Sequence, residues 1–429
     1  MLFLRCLVLP VFVLYATNLY AITEIPEKIS FDLAMKVVDE ANHYEALLAK
    51  ADYDSAVSEL LKLNGLSDFD IRMIARAQYV SPSVTRADES SEDHMLSVKM
   101  TKTLFDFGYS DEKEQSIESK LASLRLLLMQ ERLNKRIEVA KNFFDIKLSD
   151  MRFAFDNEAI SIAYVRFNKT QERNELKQSS DVDLLKAEFE YQQVRARRYE
   201  SETKQRITRS QFAESIARPN DAPETVIIPD ISFIDRKRPE FDELVKLALK
   251  NNLQIQAQKL MVEAATHEMA ASRKQGGSTL SSEVEWAEYS YETPSRNNWS
   301  AAIKLSVPLY ESDAIKSFSA KARSKLQKQR VMQRKLESEV RQQLLEVWQQ
   351  IYVLKAKQDI DEVAQEYREL YRDRSRAYYE MEYRTDLGDS FVRVSEAKLE
   401  KTKNNFELVV AWMKLAMLTG VTLEEYLQQ

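Results

Sequence analysis

Val98-Lys99-Met100-Thr101-Lys102-Thr103-Leu104-Phe105 in the first half of the chain returns as Ile303-Lys304-Leu305-Ser306-Val307-Pro308-Leu309-Tyr310 in the second. In both copies apolar and polar residues alternate, which gives an extended strand one apolar and one polar face. Each copy opens onto a stretch without helix breakers. No Gly or Pro lies between Gly108 and Pro219, and none between Pro308 and Gly388. The chain is written twice, and each half joins a strand to a helical stretch far longer than the helices of globular domains.

The alternation extends outward from these segments. Trp299, Ala301, Ile303, Leu305, Val307 and Leu309 share one face against Ser300, Ala302, Lys304 and Ser306. Ile71, Met73, Ala75, Ala77 and Tyr79 alternate with Arg72, Arg76 and Gln78. A polar loop from Asp88 to Asp93 separates that run from Leu96, Val98 and Met100. In the second half a strand near Leu280 to Tyr291 is followed by a turn at Pro294-Ser295. Strand pairs are therefore expected over 70–104 and 278–310, with strands of roughly 10–12 residues, enough to cross a bilayer at a tilt. A half-buried soluble hairpin shows the same alternation. Here the flanking helices offer no second sheet to cover an apolar face, which favours lipid. Val98, Trp299, Ile303 and Leu305 are expected to face lipid, and Lys99 and Lys304 a polar lumen. Trp299, Tyr289 and Tyr291 are candidates for the membrane interface.

Ser30 to Leu63 reads as one helix and Phe241 to Arg273 as another, the second stopped by Gly276-Gly277. Ile117, Leu121, Leu124, Leu128, Ile137, Ala140, Phe144 and Leu148 form a coiled-coil seam, as do Val340, Leu344, Val347, Ile351 and Leu354. A lone rod cannot bury such a seam, so each long stretch must reverse once. The polar clusters 169–183 and 373–389 are the expected turns. Asp183 and Asp386 lie 203 positions apart, as do Ala217 and Gly420, so the repeat persists to the end. The organisation is then a first repeat over 22–218 with a helical hairpin at 110–218, and a Pro-rich linker over 219–239. The second repeat spans 240–429, with a hairpin at 311–420 and a short tail.

The 429 residues contain 6 Gly and 9 Pro, with 30% charged residues and a mean hydropathy of -0.45, the profile of long helices. A net charge of -6 gives no basic field for nucleic acid. Residues 1–21 read as an export signal: Arg5, an apolar run from Leu7 to Tyr15, and a small residue at Ala16 or Ala21. An N-terminal membrane anchor is the alternative, which the short run interrupted by Pro10 disfavours. The one cysteine, Cys6, lies in this segment, so the mature chain is expected to form no disulfide. No other apolar run has spanning length, so any membrane crossing falls to the strands.

Four strands cannot close a barrel, and an open edge in lipid leaves backbone groups unpaired at several kcal/mol each. The chain must share a barrel with its own copies. Two copies give eight strands and a filled interior; three give twelve and a lumen.

The order of signal, helix, strand pair, helical hairpin and linker, then the same again, resembles the TolC-type outer-membrane efflux proteins. Leu104-Phe105-Asp106-Phe107-Gly108 resembles that family's exit from a barrel strand, and Pro308-Leu309-Tyr310-Glu311 is its copy. Asp183-Leu184-Leu185-Lys186-Ala187-Glu188 and Asp386-Leu387-Gly388-Asp389-Ser390 resemble the family's two hairpin turns. The resemblance implies a mainly α chain with membrane strands, whose trimer closes a 12-stranded β-barrel and an α-helical barrel. It implies an outer-membrane exit duct that reaches into the periplasm and serves a tripartite efflux or type I secretion system. The implied partners are two further copies, a periplasmic adaptor, an inner-membrane pump of ABC or RND type and outer-membrane lipid.

It also implies site residues. Asp386 and Asp389 match the acidic pair of the periplasmic tip, and Asp183 is the equivalent of Asp386 in the first repeat. Arg384 and Tyr379 stand near enough to brace that gate. Lys186 aligns with Asp389, so only the second repeat carries the full pair. The chain also departs from the family. Lys177 and Glu380 stand where it often has Gly, and Ala377 and Glu382 where it can have Tyr and Arg.

Enzyme signals are absent. His43, His94 and His267 are isolated, no Gly-rich phosphate loop or nucleophile motif occurs, and no cofactor is expected. The Arg195–Arg209 run sits on a helix among glutamates and reads as a solvated coiled-coil face. The alternative to a duct is a periplasmic coiled-coil adaptor or scaffold, whose strands would not expose 299–309 to lipid.

Overall fold

The computed structural model describes residues 26–41, 43–66, 68–80, 92–290, 296–310, 313–381, 383 and 387–421. The export signal expected over 1–21, most of the loop from Asp88, Tyr291, the Pro294-Ser295 turn, Arg384, Asp386 and the C-terminal tail lie outside the described residues.

Two helical hairpins dominate. In the first, α3 (Tyr109–Glu175) returns as α4 (Asp181–Ser215); in the second, α7 (Asp313–Glu380) returns as α8 (Leu387–Thr419). At 1.5 Å per residue α3 and α7 are each about 100 Å long. The shorter helices α1 (Phe31–Glu40), α2 (Tyr44–Leu66), α5 (Phe241–Asn251) and α6 (Leu253–Lys274) pack alongside them.

Each expected short helix is in fact broken in two. The stripe Leu33, Val37, Ala41, Tyr44 and Leu48 continues across the first break, which hid it. There the backbone at Ala41 turns extended, and buried His43 hydrogen-bonds through Nε2 to the Val38 carbonyl at 3.2 Å. The second break is at Asn252. Its Oδ1 accepts from Ile255 N (3.1 Å) and caps α6, while its Nδ2 donates to the Leu418 carbonyl at the end of α8 (3.0 Å). That second bond is tertiary, so local sequence alone could not announce it.

The linker is ordered. β1 (Lys28–Ser30) pairs in parallel with β4 (Thr225–Ile227), and a single 3-10 turn follows at Ser232–Asp235. The next residues lie along α7. Arg238 lies over the Trp348 ring (3.5 Å to the centroid) and donates to the Trp348 carbonyl, while Trp348 Nε1 donates to Pro239 O.

The hydrophobic core sits at this waist. Phe143, Phe144, Ile146, Phe212, Leu344, Ile351, Leu408 and Leu415 are fully buried there. Val340, Leu344, Val347, Ile351 and Leu354 are buried as the seam predicts. The first seam differs, because Leu121, Leu124, Leu128 and Ile137 are only half-buried in the single chain.

The four long strands form one sheet in the order β2 (Asp70–Arg76), β3 (Met95–Phe105), β5 (Thr279–Tyr289), β6 (Trp299–Ser306), antiparallel throughout. β3 joins β5, so the two repeats meet in the middle of the sheet. β3 and β5 reach the expected 11 residues, but β2 has 7 and β6 has 8. The inner strands are paired on both sides, whereas the short ones are edges with a partner on one side only.

Where β3 ends, Asp106 accepts from the backbone of Gly108, Tyr109 and Ser110 and starts α3. Gly108 takes φ +83, the left-handed region that suits glycine. Lys274, the last residue of α6, bonds both Gly108 O and Glu112 (3.2 Å each), which ties the end of α6 before β5 to the start of α3 after β3. His267 bonds the other Glu112 oxygen at 2.9 Å and is the main cause holding that carboxyl below its ordinary range. At the next residue of α6, burial pushes Glu268 up, but hydrogen bonds from Lys325 and Lys113 outweigh this and hold it low.

Candidate functional site

Two regions carry the expected residues, the sheet and the hairpin tips. In the sheet, register settles which side chains share a face. Ile71, Met100, Val284 and Ala301 lie level across the four strands, and Met73, Val98, Trp286 and Trp299 lie level beside them. Ile303 pairs with Ser282 and Leu305 with Leu280 on the same side. This apolar face is open: Trp299 is 71% and Ile303 73% exposed. A soluble strand pair would bury such a face. An adaptor's strands would do the same.

The opposite face carries Arg72, Lys99, Glu283, Glu285 and Lys304. Lys99 Nζ pairs with Glu283 at 2.5 Å. Val98, Trp299, Ile303 and Leu305 thus fall on the apolar side, and Lys99 and Lys304 on the polar one. One assignment changes. Tyr289 is three residues from Trp286 on one strand, so the two point to opposite faces. The ring opposite Trp299 is Trp286, and Tyr289 instead lies under Arg296 (4.8 Å to the centroid). Arg296 in turn holds Asp93 through two bonds of 2.7 and 2.8 Å, linking the far ends of the two strand pairs.

At the first tip, α3 ends at Glu175 and the chain reverses within residues 176–180. Lys177, in a place where the resembled family often has Gly, adopts φ +58. The turn keeps a left-handed backbone although the side chain opposes it, at a cost of about 1–2 kcal/mol. Lys177→Gly is therefore expected to stabilise the chain by about 1 kcal/mol, visible as a raised midpoint in chemical denaturation. A lowered midpoint would show that the lysine side chain itself holds the turn.

Asp183 lies in the first turn of α4 and completes a capping box with Ser180. Asp183 N donates to Ser180 Oγ at 3.1 Å, while Ser180 N and Oγ donate to Asp183 Oδ2 at 3.2 and 2.7 Å. Those bonds favour the carboxylate and lower its pKa. Its hydrogen-bonding is thus spent on starting α4.

At the second tip, Tyr379 is exposed on the last turn of α7, and Tyr378 and Tyr383 are ring neighbours at 6.2 Å. Asp389 stands in the first turn of α8, and it is not bare. Arg166 of α3 donates through Nη2 to both of its oxygens, at 2.8 and 2.6 Å. Gly388 packs closely there, since a Cβ would meet the Ile162 side chain at 3.1–3.3 Å. Two turns on, Ser395 Oγ donates to Glu158 at 2.6 Å. The two hairpins of one chain are thus joined near their tips. Arg166, Glu158 and Ile162 went unrecognised in the sequence. They lie at i, i+4 and i+8 on one face of α3, but nothing local says that α8 covers that face.

Among the described residues no cluster of His, Cys, Asp and Glu is arranged to hold a metal, and no helix is long and apolar enough to cross a membrane.

No protein-family model matches the sequence, and no curated protein does. Solved structures do match. The outer membrane protein VceC from Vibrio cholerae superposes with a TM-score of 0.69 at 14% identity, over 92% of this chain and 96% of that one. The CmeC outer membrane channel of Campylobacter jejuni gives 0.74 at 11% identity, over 91% and 86%. This chain has the fold of an outer-membrane channel. The MtrE outer membrane channel of Neisseria gonorrhoeae, solved in its open state, agrees at 0.71 and 13% identity, over 92% and 90%. The channel fold runs through both repeats and the linker, so it is carried by core pattern and register more than by residue identity.

Proposed function

We propose that three copies of this chain form an outer-membrane exit duct for an efflux or type I secretion system. The sheet carries this reading. It has an apolar face open to the outside, a polar face behind it, and an unpaired edge on each side, β2 and β6. The strands alternate in direction, so β6 of one copy meets β2 of the next antiparallel, and closure repeats without limit on copy number except curvature. Twelve strands leave a lumen lined by the polar face, where eight leave none. The hairpins, continuous with the strands at Gly108, extend that lumen as a tunnel of about 100 Å.

The duct supplies passage and no energy. An inner-membrane pump, joined through a periplasmic adaptor at the hairpin tips, drives the cargo. We assign its gate to Asp386, Asp389 and Asp183 of the two hairpin turns, with Arg384 and Tyr379 as the residues that would brace it.

The edges give the test. Cys6 is the only thiol, so a Cys6→Ser background makes introduced cysteines unambiguous. Ala301→Cys on β6, combined in turn with Ile71→Cys, Met73→Cys and Ala75→Cys on β2, is expected to yield covalent dimers and trimers on oxidation in membranes. One register should dominate. Monomers alone, or recovery of the exported chain without detergent, would sink the shared barrel.

A further inference from the structure

Among the cations of the four strands, Arg72, Arg76, Lys99 and Lys304 lie on the polar face, and Lys102 alone lies on the apolar one. Lys102 pairs with Ser282, and Ser282 with Ile303. Met100 stands to one side of it on that face, and Phe105, level with Leu280 and Leu305, to the other. No strand acid answers it there. Glu288, the acid of β5 on that face, is 6 positions from Ser282, about 20 Å away. The Lys102 Nζ lies instead over the Phe69 ring, 4.4 Å from the centroid, and Phe69 is 51% exposed.

This row of residues is not level in a bilayer. Phe69 comes 3 residues after α2 ends at Leu66, Lys102 comes 7 before α3 begins at Tyr109, and Ile303 comes 10 before α7 begins at Asp313. Tilted strands give such a gradient. It brings Phe69 and Lys102 nearest the helices and sets Ile303 deepest. An ammonium on a lipid face is costly at depth and tolerated near the headgroups. The long stem of a lysine lets its amine reach them.

We propose that Lys102 and Phe69 of each copy seat the headgroup phosphate of an anionic phospholipid, in the leaflet nearest the helices. The proposal rests on the exit-duct reading, because it needs the apolar face to meet lipid. The ammonium donates to the phosphate oxygens, a charge-assisted contact that the low dielectric around it strengthens. The Phe69 ring holds the amine in place by cation–π attraction, and its exposed edge meets the upper acyl chain. A zwitterionic headgroup offers the same phosphate but brings its own cation towards Lys102, so the net charge of the lipid decides which is held.

Native mass spectrometry of the full-length oligomer in detergent, titrated with phosphatidylglycerol or phosphatidylcholine, tests the seat. The wild type is expected to hold phosphatidylglycerol about tenfold more tightly than phosphatidylcholine. K102Q should lose that preference, F69L should lower it about threefold, and K304Q on the polar face should keep it. K102M, which suits a lipid face, takes the place of K102Q if K102Q yields no oligomer. Inorganic phosphate in large excess should leave the lipid bound; displacement makes the seat a free-anion site and overturns the lipid assignment. No preference in the wild type, or one that survives K102Q or K102M in a detergent-extracted oligomer, overturns the seat alone. Recovery of the exported chain without detergent, holding neither lipid, overturns the exit-duct reading and the seat with it.

Discussion

Ile303→Arg is expected to eliminate the membrane-inserted assembly, while Ala302→Arg, one residue away, leaves it intact. Register places Ile303 on the apolar face opposite Ser282, and Ala302 on the polar face opposite Glu283. A lipid-facing arginine near the bilayer midplane costs about 2–4 kcal/mol per copy. Three copies bring this to about 6–12 kcal/mol, comparable to the whole stability of a typical domain. On the polar face the same arginine stays in water and meets Glu283, so its cost is near zero. Recovery of detergent-stable oligomer from the outer-membrane fraction separates the two variants. Equal recovery of both would mean that the open face of the sheet does not meet lipid, and the duct reading would fall with it.

Phe144→Ala carries the second large effect, at the waist. Phe144 is 2% exposed, stacks on Phe406 of α8 with centroids 4.4 Å apart, and lies against Phe31 of α1 at 5.6 Å and Phe143 at 5.7 Å. One ring thus joins both hairpins and the N-terminal helix. Truncating a buried phenylalanine to alanine costs about 3–5 kcal/mol, because the lost transfer energy is joined by a cavity. Here the long helices cannot collapse inward without pulling their seams out of step, which places the expectation near the upper end. Phe318→Ala, half-exposed on α7, should shift stability by less than about 0.5 kcal/mol. Denaturation midpoints in detergent give the comparison. Similar small losses for both would place the stabilising core elsewhere than the waist.

The tips illustrate what physical reasoning recovers only in part. A polar cluster at 169–183 announces a reversal, since helices that bury a seam must turn back and polar residues tolerate the turn. It does not announce that Lys177 adopts a left-handed backbone, because that conformation is imposed by the carbonyl-capping geometry at the end of α3. Asp183 reads equally as a gate acid or a helix cap, and the structure shows its Oδ2 engaged by Ser180. Asp389 reads as one of a bare acidic pair, and the structure gives it an arginine from 223 residues away. Sequence spacing cannot reveal that partner, because the two lie on different hairpins.

Periodicity by itself determined the elements of this protein: period two for four strands, period near three and a half for two reversing rods, and duplication for their order. Those signals are local, since each depends on residues within a turn or a pleat of one another. The lack of a second sheet to cover the strands' apolar face also follows from sequence, and the proposal of a shared barrel builds on it. Tertiary structure alone decided the rest. It joined β3 to β5, broke α1 from α2 and α5 from α6, placed Trp286 opposite Trp299, concentrated the core at the waist, and set Arg166 between Asp389 and Glu190. Each of these is a contact between residues far apart in the chain, and its energy depends on distances that no local pattern encodes.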